Sequence, residues 1–226
     1  MTAPGIRRSG LEPWGLPLMK LALTYRGELR ANGGPKPKWE IRKQFAPQLA
    51  EFWRLSPSMK MLEAMRYLPT EGFKLTAERH HSFSPNKDPL PPTMYDHIDL
   101  CAPVARGSKT FLPIVRDSLA LQCGLKILFM RQEEPGRIYQ GGDMDNRLKT
   151  LLDALSVPTL EQVVEDDQPS PVHCLLEDDR LVTRLDVDTQ RLLSAPGASC
   201  HEVNLVIEVD IRVTQPRTYN HIFLGD

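Results

Sequence analysis

The 226-residue chain predicts an α/β (α+β) fold, a mixed β-sheet with helices packed on it, and three observations carry that expectation. Leu148, Leu151, Leu152 and Leu155 recur at the i, i+3, i+4, i+7 spacing of a helix with one buried face. Val203, Leu205, Ile207, Val209, Ile211 and Val213 alternate with Asn204, Glu208, Asp210 and Arg212, the period of a strand with one face in a core. The candidate elements run strand, helix, strand, helix, then a strand pair, an order that suits helices laid against a mixed sheet. A chain of this length buries one good core, so residues 1–226 read as one domain, with insertions at 56–110 and 156–176.

Residues 1–17 are rich in Pro and Gly and read as irregular. Leu18 to Arg30 is the first strand, closed by the turn chemistry of Asn32-Gly33-Gly34-Pro35. A helix follows from about Trp39 to Leu55, striped by Ile41, Phe45, Leu49, Phe52 and Trp53, with Pro47 predicting a kink or a broken start. Met59 to Tyr67 reads as a short helix, and His80 to Thr93 as a Pro-rich loop in which His80-His81 is an exposed pair. Phe111 to Leu121 reads as a strand or extended arm and Gly124 to Gln132 as a buried strand. Ser156 to Leu176 is a polar, Pro-containing link with the acidic run Glu165-Asp166-Asp167. Leu181, Thr183, Leu185 and Val187 mark a half-buried strand, joined to the last strand as a hairpin through Ser194-Ala195-Pro196-Gly197.

A hydrophobic content of 41% with 25% charged residues is that of a soluble globular protein, and a net charge of −1 gives no general affinity for polyanions. A nucleic acid must therefore be met by a local basic surface or through a metal ion. Such an asymmetry exists: Lys36, Lys38, Arg42 and Lys43 crowd the start of the first helix, while residues 133–188 are acidic. Cys101, Cys123, Cys174 and Cys200 show no close pair of zinc ligands. Neither a signal peptide nor a run of transmembrane length is visible, so a reduced cytoplasmic setting without a membrane is the expectation.

The stretch from Gly141 to Leu155 carries the candidate chemistry. Asp143 and Asp145 sit at the start of the leucine-striped helix, and Lys149 lies one turn beyond Asp145 on the same side. Taken singly, an Asp at a helix start and an Asp/Lys pair at i, i+4 are ordinary. A second pair, Asp178-Asp179, precedes a strand. Both acidic pairs thus stand at element ends, where their side chains are expected to converge over a sheet edge. Convergent carboxylates repel unless a hard cation such as Mg²⁺ lies among them.

Asp143-x-Asp145-Asn146-x-x-Lys149, an apolar helix ending Asp153-Ala154-Leu155, then Asp178-Asp179 and a strand resembles the RusA-type Holliday junction resolvases. The resemblance extends over residues 125–213, and more loosely over 18–55. It implies a RusA-like fold, a homodimer, Mg²⁺ (or Mn²⁺) held by Asp143, Asp145 and Asp179 with Asp178 beside them, and an essential Lys149. The implied activity is cleavage of phosphodiester bonds in branched or structured DNA, as in recombination and repair. Metal-bound water would attack the phosphorus while Lys149 stabilises the transition state. Lys36, Lys38, Arg42, Lys43 and Arg147 would hold phosphates away from the cut. The alternative is a RusA-like DNA-binding or assembly protein without activity. A phosphotransferase is disfavoured because no Walker-type Gly-Lys-Ser/Thr sequence occurs.

Overall fold

The computed structural model describes residues 17–64, 66–69, 97–132, 143–193, 199, 201–217, 220 and 223. The expected loop with His80-His81, the turn at 194–197 and Cys200 lie outside them. The described residues form a mixed α/β architecture of two mixed sheets, a two-stranded ribbon and three helices.

The main sheet has the order β1-β9-β6-β8, from β1 (Pro17–Glu28), β9 (Glu202–Val213), β6 (Leu121–Arg131) and β8 (Val182–Arg191). β9 is antiparallel to both β1 and β6, whereas β6 and β8 are parallel. One face is apolar over most of its rows: Leu23, Ile207 and Ile127 share a row, as do Tyr25, Leu205 and Phe129. All six are buried. Strict alternation is what places them on the same side.

The hairpin expected between the last two strands does not form. β6 lies between β8 and β9 and pairs with both. Chain neighbours usually pair, but here β6 and β8 are joined through α3 (Asp143–Leu155) as a parallel crossover, and β9 closes on the other flank of β6.

α1 (Pro35–Leu55) opens with Pro35, whose missing N–H costs nothing in a first turn. Pro47 sits on its exposed side and does not break the helix, because Ile41, Phe45, Leu49 and Trp53 bury a continuous stripe on both sides of it. The other flank of α1, with Trp39 and Ala46, packs on Phe111, Val172 and Cys174 of the second sheet, β4-β5-β7, and Trp39 meets Phe111 edge-on at 6.2 Å. That sheet is built from β4 (Val104–Arg106), β5 (Lys109–Val115) and β7 (Val172–Leu176), with β5 and β7 parallel. β7 lies inside the segment expected to be a polar link. α2 (Pro57–Ala64) and the ribbon of β2 (Tyr67–Pro69) and β3 (His97–Asp99) complete the described elements. Among the described residues no helix is long and apolar enough to cross a membrane.

α3 packs beside α1, and the segment ahead of α1 approaches it closely. Gly33, just ahead of α1, donates its N–H to Thr150 Oγ1 at 3.1 Å, and a Cβ at Gly33 would stand 2.8 Å from Thr150 Cγ2. The buried residues of α3 are Met144, Arg147, Thr150, Leu151, Ala154 and Leu155, while Leu148 and Leu152 are only partly covered. The buried stripe is therefore turned slightly from the leucine spacing, which brings Arg147 into it.

Candidate metal centre

Asp145 and Lys149 are both exposed, one turn apart on α3. The amphipathic pattern dictates this, since Met144, Arg147, Leu151 and Ala154 take the inward positions. Asp143 is the first residue of the helix, at the positive end of its dipole.

The second acidic pair lies elsewhere. Asp178 Oδ1 accepts from Arg180 N at 3.0 Å and caps the 3-10 turn Asp179–Leu181, so this carboxylate has a structural partner. Asp179 is exposed in the same turn. Arg180 reaches Asp117 at 3.4 Å, and Glu177 Oε2 accepts from Asp117 N at 3.0 Å, which ties the segment to the start of β6.

Strand and helix directions set the relation between the two pairs. α3 ends where Ser156 bridges Leu176 and Val157 N donates to Leu176 O at 2.9 Å. Asp179 comes three residues after Leu176, and β8 then begins beside Cys123, near the start of β6. Asp145 precedes Ser156 by eleven residues, about 16 Å along the helix axis at ~1.5 Å per residue. Its end of the helix lies toward Gly33 and the termini of β1 and β6, which run the same way because each is antiparallel to β9. Asp145 and Asp178-Asp179 thus occupy opposite ends of the main sheet. The convergence expected within one chain is corrected accordingly, and among the described residues no three His, Cys, Asp or Glu side chains form a group that could hold a metal ion. Sequence placed both pairs at element ends correctly but could not say which end of a crossover each would take.

The predicted phosphate-binding cations also divide. Arg42 is 1% exposed, and its Nη2 donates to Asp153 O at 2.7 Å and Ser156 O at 3.0 Å, closing the C-terminal carbonyls of α3. Burial lowers its pKa, opposed by the neighbouring Cys174 and Asp153. Lys38 is paired with Asp153 at 2.6 Å with 14% of its side chain exposed. Arg147 is 2% exposed. These three are packed groups and not a DNA surface. Lys36 is exposed, and Lys43, half-exposed, pairs with Glu40 at 2.7 Å.

One charged cluster had no signal in the sequence. Asp166 Oδ2 accepts from Trp39 Nε1 at 2.7 Å, and its Oδ1 accepts from Lys109 Nζ at 2.8 Å and Gln168 N at 3.1 Å. Lys109, 5% exposed, also donates to the carbonyls of Asp166 and Gln168. Burial pushes the Asp166 pKa up, but the bonds from Lys109, Trp39 and Gln168 outweigh it and hold it at about 2. A groove of about 560 Å³ beside this clasp is lined by Lys43, Pro47, Val172 and His173 and contains none of the aspartates predicted as ligands. The thiols of Cys101, Cys123 and Cys174 are buried and free, and burial raises their pKa to about 11, 12 and 11.

No family model, curated protein or solved structure matches this chain.

Proposed function

We propose that this protein is a metal-dependent endonuclease of branched or structured DNA, similar to the RusA-type junction resolvases, with a metal centre completed by two chains. The observation that carries the reading is the Asp145/Lys149 pair, exposed on one side of the first turns of α3. Among the described residues no three His, Cys, Asp or Glu side chains meet within one chain, and Asp145 stands apart from Asp178 and Asp179. A two-fold partner is what could bring an Asp179 to each Asp145, and the dimer would then carry two sites for the two symmetric strands of a four-way junction. Mg²⁺ or Mn²⁺ bound there would supply Lewis acidity toward water and phosphate.

The chain's own residues do the remaining work. Asp145, with Asp143 beside it in the first turn, would provide carboxylate oxygens. The Lys149 ammonium would offset charge gathering on the scissile phosphate, and Lys36 with Lys43 would meet backbone phosphates without reading bases. A second reading, a DNA-binding or assembly protein without cleavage, is favoured by the lack of a described three-ligand group within one chain.

Complementation separates the two. Asp145→Asn and Asp179→Asn, each inactive alone on labelled four-way junctions with Mg²⁺, recover about a quarter of wild-type cutting when mixed after subunit exchange, because half the dimers hold one intact composite site. Junction binding with no cutting by wild type in Mg²⁺ or Mn²⁺ would establish the second reading instead.

A further inference from the structure

We infer that the outer edge of β8 is the surface through which two copies of this chain join, antiparallel across a two-fold axis at Leu185. For its functional meaning this rests on the composite site proposed above; the surface itself is argued from the edge strand. The two margins of the main sheet differ. On β1, the Gln48 side chain of α1 accepts from Thr24 N at 3.0 Å and donates to Thr24 O at 2.8 Å, occupying the backbone groups another strand would need. Among the described residues no strand pairs with the outer side of β8, which is ten residues long. Unpaired edges of that length invite another strand.

Burial points the same way. Leu185 lies beside Leu125 and Val187 beside Ile127 on the core face. Leu125 and Ile127 are fully buried, yet Leu185 is 39% exposed and Val187 partly exposed. The cover over the sheet thins at its last strand, where a second copy would continue it.

Charge complementarity suits a second copy and rules out several registers. Arg184, Asp186 and Asp188 share the opposite face, and Arg184 already contacts Asp186 of its own chain at 3.3 Å. In an antiparallel self-pairing centred on Leu185, Arg184 of each copy faces Asp186 of the other, Leu185 faces itself, and Thr183 faces Val187. Centring on Arg184, Asp186, Val187 or Asp188 opposes like charges, which is unfavourable across strands. The favoured arrangement also runs the Asp179 end of one copy toward the end of the other where α3 begins.

The test is a charge swap followed by light scattering and sedimentation over a concentration series. Wild type is expected to be a dimer. Arg184→Asp and Asp186→Arg, each folded by circular dichroism, are expected to dimerise about tenfold or more weakly, because two opposed pairs per dimer become repulsive. Mixed in equal amounts, they should form a heterodimer. Leu185→Lys, at a position already exposed in the single chain, should also yield monomers. A monomeric wild type, or single variants that dimerise like wild type, overturns the proposal. A dimer broken by these variants but lacking metal-dependent cutting keeps the interface and removes the nuclease reading; cutting by a monomeric wild type does the reverse.

Discussion

Nη2 of Arg42 reaches two carbonyl oxygens more than a hundred positions away in the chain, and nothing near residue 42 foretells them. The Lys36-to-Lys43 run therefore reads as a basic surface, although only part of it faces water. Replacing Arg42 by Met, which keeps most of the bulk, strands those carbonyls and is expected to cost about 1–3 kcal/mol in denaturant unfolding. Asp166 was legible only as one member of an acidic run, because Lys109 and Trp39 come to it from other elements. Its carboxyl is held at about 2, below an unfolded Asp at about 3.9. The stability it adds is thus complete above about pH 4 and disappears as pH falls toward 2. Asp166→Asn should lower the melting temperature at neutral pH, and the gap to wild type should shrink steadily on acidification. Lys149 is the residue for which spacing alone was sufficient: it is exposed beside Asp145 as the helical period requires. Under the nuclease reading, Lys149→Ala should reduce single-turnover cutting about a hundredfold while leaving junction binding intact.

Periodicity identified the strands with one clean apolar face and the helix with a leucine stripe, since both patterns are local. β7 escaped it: Val172-His173-Cys174-Leu175-Leu176 is five residues long, follows Pro-rich sequence, and is buried at four of five positions, so it shows no alternation. The order of strands escaped it too, because pairing of β8 with β6 depends on a crossover through α3 and β7. Where α3 meets the segment ahead of α1, the contact turns on Gly33. Gly33→Ala would press a methyl into Thr150 Cγ2 and is expected to destabilise the fold by about 1–3 kcal/mol. Thr150→Ser removes that carbon while retaining the hydroxyl that accepts from Gly33 N, and in the double variant it should recover most of the loss.

At the scale of the molecule, the placing of both acidic pairs at element ends was legible and which ends they take was not. A crossover carries the chain from one end of the sheet to the other, so residues close to either end of α3 become distant in space. If cutting needs two chains, its rate per chain should fall on dilution below the dimer's dissociation constant, and covalent tethering of two copies should abolish that dependence. The Gln48 side chain bears on the size such an assembly can reach. A sheet with two free margins adds copies without end and becomes a filament, whereas one already plugged by an amide on its β1 side has room for a single newcomer. Under the β8 dimer proposed above, trimming Gln48 to Ala frees the Thr24 N–H and carbonyl, and a particle that grows with concentration in light scattering is the expected outcome.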